Sequence, residues 1–550
     1  MNEHYFRVLE KGMGGALERL SLDGVLEHLD NLLSQLLLEQ SVAGCYLTEL
    51  SRRPEIRTHK KGLQTLAWLL EKRRALDPFD GIALRALGQN FGRADCAALA
   101  DALQGLDREA TGLNDVRALL ADGEGREAEP VLRTLLKVYP SYVQAADLLL
   151  SLDFLDGLAP GDWTGLLRVP VPLSGIWDAR LFAHHAQLGQ DEQAARLWQG
   201  LAPALRNAHL ENLAAEVFLR LGDTAQGREL YAASLARDPR QAPVRLRLNE
   251  LDQPTPLRPE LLKERAVVVC LYSWNKAEML AHTLESLAAT DLGSARIRIL
   301  LNGCTDDSLE RVRAVLPRFG ERDVDILDLP INVGAPAARN WLAALPECRA
   351  ADYVAYIDDD VELPRDWLAR LVSVLEEAPD AGLAGCKVVH PGRPAALQYL
   401  YRNVVLARPD LFKLSLHVPS RTVDSGTYDF TRRTMSVMGC CHVMRGAMLR
   451  ELPFDIRFSP SQVDDIDHDL LACLAGWGVL YCGFVTCVHL QSSGFSGKPA
   501  QPLSQPQVGN IVGNDIKLCA KHMPNLERLL ELTREDMRRA VEGVDWRVRA

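Results

Sequence analysis

The sequence predicts an α/β domain built on a mostly parallel sheet, preceded by an all-α domain of helical repeats. Three observations carry that expectation. The chain changes character near residue 255, from Leu-, Ala-, Arg- and Glu-rich segments with apolar residues at helical spacing to short β-branched runs. Before that point a frame of small and aromatic residues recurs with the period of a helix-pair repeat. After it, strand-length apolar runs alternate with helical patterns, as in right-handed β-α-β crossovers.

The chain has 550 residues, 47% apolar and 25% charged, which is globular composition with room for two to four domains. The net charge of −11 argues against broad binding to nucleic acid or an anionic membrane, where a basic excess is needed. No apolar run approaches the roughly 20 residues that span a bilayer. Met1 to Phe6 lacks the basic-then-apolar plan of a signal peptide, so a soluble, cytoplasmic protein is expected. Twelve cysteines contain no Cys-x-x-Cys pair, and Cys270, Cys386, Cys440 and Cys482 sit in apolar runs. They read as small reduced hydrophobes.

The repeat is clearest at Leu221-Gly222-Asp223, followed by Gly227, Tyr231, Ser234 and Asp238-Pro239. This order matches the second half of a tetratricopeptide unit: a turn glycine, a small residue where helices approach, an aromatic in the groove and a helix-ending proline. Gly189, Ala194, Trp198 and Leu201 repeat it one period earlier, and Gly123, Ala128, Leu132 and Tyr139-Pro140 do so two periods before that. Pro160 and nearby glycines interrupt the copy between them. A non-repetitive helical bundle is the alternative. The helical, tetratricopeptide-like domain is expected over 1–252, and its concave face would suit a protein partner. Pro254, Pro256 and Pro259 then cannot continue a helix and mark a linker over 253–264.

The α/β domain is expected over 265–498. Strands fall at Ala266–Leu271, Arg296–Leu301, Val324–Leu329 and Tyr353–Ile357, with helices at Ala277–Ala289, Asp307–Leu316 and Ala335–Ala344. Ligands sit at the carboxyl ends of strands in such sheets. Directly after the fourth strand stand Asp358, Asp359 and Asp360. Adjacent carboxylates repel unless a cation or solvent compensates, and a hard divalent ion bridging them to phosphate fits that position. Backbone alternation assigns Asp358 and Asp360 to the ion and Asp359 to a supporting place behind them. A solvated acidic turn is the alternative.

Seven segments in order resemble the family 2 glycosyltransferases of GT-A fold. They are Val267 to Asn275, Leu300 to Asp306, Asn332 to Asn340, Tyr356 to Pro364 with Trp367-Leu368, Gly439 to Arg445 with Pro453-Phe454-Asp455, Val463 to Asp467 with Gly476-Trp477, and Cys487-Val488-His489. The resemblance covers about residues 265–495 and implies a nucleotide-sugar-binding GT-A domain that moves a sugar to a hydroxyl with inversion. It implies Mn²⁺ or Mg²⁺ on Asp358, Asp360 and the late His489, where a core histidine is the alternative. It implies Asp465 as the base that deprotonates the acceptor, with Asp464 supporting it. Helix capping competes for Asp464 and Asp467, since negative charge suits a helix start. Ser273, Asn275, Asn302, Arg339 and Asp358 are the candidate nucleotide-sugar contacts; Arg339 either approaches the pyrophosphate or pairs with an acid.

Two positions of the second-strand segment depart from the family. Leu301 stands where relatives carry an acid that reads uracil, and Asn302 where they carry the second acid of the pair. Leu cannot accept a hydrogen bond, so a UDP-sugar is the default donor with GDP- and dTDP-sugars open. The stretch 391–436, with Tyr399, Tyr401, Arg402, Arg421, Tyr428, Arg432 and Arg433, would face the acceptor, or act as a lid or dimer contact. Residues 499–550 read as a helical extension of unassigned role. The acceptor is a protein, a polysaccharide or a lipid-linked glycan. Two rivals are a non-catalytic scaffold with a relic α/β domain, and a nucleotidyltransferase. The second wants a glycine-rich phosphate loop after the first strand, and Tyr272 to Lys276 has no glycine.

Overall fold

The computed structural model describes residues 13–109, 116, 119, 125–408, 411–414, 422–490 and 505–548. From Leu22 to Asp252 the described chain is helical throughout. Ser174–Gln187 pairs with Asp191–Gly200, and Ala208–Arg220 with Thr224–Arg237. The turn between the latter two passes through Gly222 at φ 87°, backbone that a side chain disfavours. Gly227 lies so close to the preceding helix that a Cβ would stand 2.7 Å from the Leu219 side chain. Trp198 and Tyr231 fill the grooves and are buried. Ala194, Trp198 and Tyr231 are thus buried within these helix pairs, and Gly227 sits at a close helix approach. In the earliest copy Ala128 and Leu132 are buried on Gly125–Val138, which packs forward on Val143–Leu155, while Gly123 lies outside the described residues.

The expected strands and helices of the α/β part are present. They are β1 (Val267–Ser273), β2 (Arg296–Asn302), β3 (Val324–Leu329) and β4 (Tyr353–Ile357), with helices Ala277–Ala288, Ser308–Val315 and Ala335–Ala343 between them. Eight further strands follow: β5 (Val361–Glu362), β6 (Ala381–His390), β7 (Ala396–Tyr399), β8 (Val404–Arg408), β9 (Leu411–Leu414), β10 (Thr431–Thr434), β11 (Cys441–Arg445) and β12 (Gly478–His489). Ten strands form one sheet in the order β10-β12-β6-β11-β4-β1-β2-β3, with β5 on β12 and β7 on β6; β8 and β9 pair separately. The sheet is parallel from β3 to β4, as expected. Beyond it the sheet is mixed, because β11 enters between β4 and β6 antiparallel to both. Periodicity in 265–357 says nothing of that insertion, which follows a long excursion through 391–440.

The 253–264 segment is held down. Thr255 donates from its hydroxyl to Glu250, the Arg258 amide donates to Ser373 Oγ at 2.9 Å, and Leu261–Glu264 forms a short helix. The helical region does not hang free either. Leu36, Ala242 and Leu246 share one apolar cluster with Tyr356, Tyr401, Tyr428 and Ala540, so both halves and the last helix, Leu526–Glu542, meet in a common core. Buried Arg247 pairs with Glu216 at 2.8 Å and donates across to the Asp429 carbonyl at 2.8 Å. Most of the Tyr- and Arg-rich 391–436 stretch serves this seam. Tyr401 Oη donates to the Gln35 carbonyl, Arg432 to Ser34, and the Tyr428 hydroxyl accepts from Leu37. Only Tyr399 and Arg402 of that stretch's named side chains reach the cavity described next, and Arg421 lies outside the described residues.

Candidate active site

A cavity of about 870 Å³ opens at the carboxyl ends of β1, β2 and β4. Its position follows from the parallel half of the sheet. β4 delivers Asp358, Asp359 and Asp360 to the rim, and the chain then turns into β5. β5 pairs with the last residues of β12, Val361 opposite His489, and the Leu490 amide donates to the Asp360 carbonyl at 2.8 Å. That pairing brings an imidazole from far downstream in the chain onto the acidic corner. Ligand atoms of Asp358, Asp360 and His489 lie within 4.8 Å of one another.

The electrostatics of this corner are divided between neighbours. Burial raises the Asp358 carboxyl to about 7, against the pull of the Arg339 guanidinium. Burial works on Asp360 too, but the His489 imidazole and the Lys276 ammonium more than offset it and hold that carboxyl well below the usual range. Lys276 Nζ is 2.8 Å from Asp360 Oδ2 and 3.0 Å from Asp359 Oδ1. Ser273 donates to Asp359 Oδ2 at 2.6 Å. On its other side, Asp360 Oδ1 pairs with His489 Nε2 at 3.2 Å, and among the described residues neither buried atom has any other hydrogen-bond partner. A carboxylate oxygen and an imidazole nitrogen engaged only with each other, beside a second carboxylate, make a hard donor set that fits a divalent ion of the Mn²⁺ or Mg²⁺ kind. His489 Nδ1 meets Gln398 Oε1 at 3.0 Å, which orients the ring.

Across the cavity, the helix Asp464–Leu474 begins after Gln462 and Val463, both at positive φ. Its four acids each have a different partner. Asp464 takes Arg339 Nη1 at 2.8 Å, and Asp465 Oδ2 accepts from the Gly439 amide at 2.9 Å. Asp467 is held by Lys521 and His522, both at 2.7 Å, and Asp469 accepts from the Val437 amide at 3.0 Å. Val463 precedes the first turn and makes no side-chain cap, while Asp464, Asp465 and Asp467 all stand in that turn, where negative charge suits the helix start.

Arg339 shows the acid-pairing alternative. Its guanidinium is buried between the Tyr272 and Phe454 rings, bonded to Asp464 and 3.7 Å from Asp358. It lines the cavity with its charge already matched. Ser273 and Asn302 also line the cavity. Asn302 spends its amide on the loop ahead, accepting from the Val333 amide and donating to Asn332. Asn275 is outside the cavity lining; its Oδ1 accepts from the Thr305 amide at 2.7 Å, which ties the loop after β1 to the loop after β2. Leu301 is buried in the core beside Ile299 and Leu271, so nothing at that position can read a base.

Sequence reasoning missed the role of Lys276 and the place of the helix Gln505–His522, expected as part of a helical extension, beside the cavity. Asn510, Ile511, Asp515, Leu518 and Cys519 of that helix close one side of the cavity. Asn514 Nδ2 donates to the carbonyls of Phe458, Ser461 and Gln462, which fixes the loop leading to Asp465. The lysine was visible one residue past Asn275, but nothing local tells a site lysine from a surface one. A larger concavity, about 1340 Å³, lies between the helical region and residues 422–428. Of its acids, Glu71, Asp95 and Asp238 are each paired to Arg or Lys, and Glu39 accepts from the Thr422 hydroxyl.

Residues 267–450 match the model of glycosyl transferase family 2. That part of the chain is similar to a family 2 glycosyltransferase domain. A curated relative, the glucosyl-dolichyl phosphate glucuronosyltransferase of Haloferax volcanii, is 34% identical over 125 residues. The match spans 22% of this chain and 38% of the relative, so well under half of that protein is covered. Among solved structures, GalNAc-T7 with UDP, GalNAc and Mn²⁺ is similar at 15% identity and a TM-score of 0.35, over 46% of this chain and 47% of that one. The mannosyltransferase PcManGT of Pyrobaculum calidifontis, solved with GDP-Man and Mn²⁺, is similar at 17% identity and a TM-score of 0.32, over 56% and 87%. No described helix is long and apolar enough to cross a membrane.

Proposed function

We propose that this cavity carries out metal-dependent, inverting transfer of a sugar from a nucleotide-sugar donor to a hydroxyl. The observation that carries the reading is the meeting of ligand atoms of Asp358, Asp360 and His489 within 4.8 Å of one another, with Asp358 and His489 lining the same cavity as Asp465. Asp358, Asp360 and His489 would hold a Mn²⁺-type ion, with Asp359 and Lys276 on the cavity wall beside it, Lys276 paired to both Asp359 and Asp360. When bound, such an ion neutralises charge that builds on a departing diphosphate.

The chain's own residues account for the rest. A sugar hydroxyl attacks well only as its proton leaves, and a carboxylate in reach takes it. Asp465 Oδ2 is occupied by the Gly439 amide, which leaves Oδ1 to receive that proton. The acceptor oxygen bonds to the anomeric carbon as the carbon–oxygen bond to the diphosphate breaks, and one displacement inverts the centre. Asp464, neutralised by Arg339, keeps a second negative charge from opposing the base.

Ser273 and Asn302 are placed to meet the nucleotide, Asp358 the diphosphate side, and Asn275 acts through the loop it holds. A UDP-sugar is the default donor, and the absence of an acid at 301 leaves GDP- and dTDP-sugars open. The acceptor is a protein or glycan, a protein partner fits the helical concavity, and the setting is cytoplasmic, in keeping with twelve cysteines of which none is in a disulfide. Residues 1–252 act as the helical domain and 265–498 as the transferase domain, with 253–264 between them and 499–550 as the extension that closes the site.

A panel of nucleotide sugars with and without Mn²⁺, read by nucleotide release, tests the proposal. Slow donor hydrolysis that requires the metal is expected, lost in Asp360→Ala together with metal-dependent nucleotide binding. In Asp465→Asn transfer is lost and binding kept. Full turnover by Asp465→Asn, or no binding of any nucleotide sugar, overturns it.

A further inference from the structure

Behind the acidic corner, buried thiols gather at one point. Cys441, Cys386 and Cys487 belong to β11, β6 and β12, consecutive strands of the sheet. Neighbouring strands run about 4.8 Å apart, so β11 and β12 with β6 between them are roughly 10 Å apart. Side chains standing straight off the sheet would keep the outer two sulfurs at that separation. Instead all three Sγ atoms lie within 4.8 Å of one another. The outer thiols lean inward over Cys386, helped by the break in register between Cys482 and Thr486 of β12. A fourth thiol, Cys440, contacts that of Cys487. All four residues are at most 1% exposed.

Small apolar filling does not require this. Alanine or valine would occupy the same volume, and the rest of the surrounding cluster is made of such residues, among them Ala384, Val388, Val443 and Val485. Convergence of three sulfurs from three strands, with a fourth thiol beside one of them just ahead of β11, is what a soft metal ion needs.

We propose that Cys386, Cys441 and Cys487, with Cys440 as the fourth ligand, bind a thiophilic divalent cation, Zn²⁺. With Zn–S bonds of about 2.3 Å, tetrahedral geometry sets sulfurs about 3.8 Å apart, so the thiols of Cys386, Cys441 and Cys487 close by about 1 Å or less, and Cys440 turns in from beside Cys487. Each thiol gives its proton to solvent as it coordinates, and no electron moves. The sulfur set is chemically distinct from the oxygen and imidazole set of Asp358, Asp360 and His489, so the two ions sort by ligand softness. The site also has a structural consequence. The Cys440 carbonyl accepts the Asp358 amide at 2.9 Å, and Cys487 is two residues before His489. An ion here pins together the strand ends that carry the ligands of the outer site.

The test uses the full chain, purified under reducing conditions and washed with EDTA to strip the exposed cavity. Elemental analysis is expected to find about one zinc per chain, released only on denaturation, because the site is closed to chelator. Protein produced in cobalt medium is expected to show thiolate-to-cobalt charge-transfer absorption. Cys386→Ala with Cys441→Ala should lose both signals. Zinc below about one-tenth per chain with no charge-transfer band in the unsubstituted protein overturns the proposal, whatever the folding of the variant. Full zinc in the double variant overturns the ligand assignment, and copper in place of zinc overturns the choice of ion.

Discussion

Replacing Gly439 by Ala probes the base without touching it. The Gly439 backbone has ordinary φ, so alanine adds only a methyl group. That Cβ would stand 2.7 Å from Asp465 Cβ, 3.1 Å from its Cγ and 2.9 Å from Oδ2. Carbon atoms settle at about 3.5–4.0 Å, so the two segments must separate by about 1 Å. The move takes the Asp465 carboxylate off the Gly439 amide and away from an incoming hydroxyl. A misplacement of that size costs a catalytic group roughly 100-fold in rate. Overpacking of this kind costs about 1–3 kcal/mol of stability, so the protein stays folded at room temperature. Initial rates of transfer at saturating donor, beside calorimetric titration of the nucleotide with Mn²⁺, separate the two effects. A kcat lowered by roughly two orders with unchanged nucleotide affinity is expected. A kcat within about threefold of the parent would refute the geometry assigned to Asp465.

Three further outcomes follow from the same structure. Asn514→Ala frees the carbonyls of Phe458, Ser461 and Gln462, which costs about 1–3 kcal/mol of local order; kcat should fall while nucleotide affinity holds, and unchanged kinetics would show that the 505–522 helix does not position the base. Arg247→Met leaves Glu216 buried without its partner and breaks the contact to Asp429; a loss of about 3–5 kcal/mol, seen as a lower melting temperature, is expected, and no change would remove Arg247 from the seam. Burial lowers His28, His184 and His468 to about 4, from an ordinary 6.5. The unfolded chain therefore takes up these protons first, so stability is whole above pH 6.5 and declines as pH falls toward 4. Thermal denaturation across that range checks it, and a melting temperature flat from pH 7 to 4 contradicts neutral burial of these rings.

The first four strands and their helices were legible because each is a local pattern. The residues of Tyr353–Ile357 form an apolar run with three carboxylates at its end, which both marks a strand and locates its ligand edge. Asp465 and His489 were singled out only through resemblance, since one of several acids at a helix start and a single histidine in an apolar run have local explanations. What escaped was set by long-range pairing. No periodicity in β11 announces that it runs antiparallel between β4 and β6. Nor does anything around Asn514 announce three backbone carbonyls 52 to 56 residues away. The Tyr- and Arg-rich 391–436 stretch looked like an acceptor face because aromatic rings suit sugars. The same rings equally suit a protein seam, and most of them are used there.

That seam bears on how the protein tolerates truncation. With Leu36, Leu246, Tyr401, Tyr428 and Ala540 drawn from three distant parts of the chain into one apolar interior, no cut near residue 260 yields a self-sufficient half. A fragment starting at the first strand would bare aromatic surface to water and stick to its own copies. The helical portion is thus less an accessory bolted to a transferase than one wall of its house.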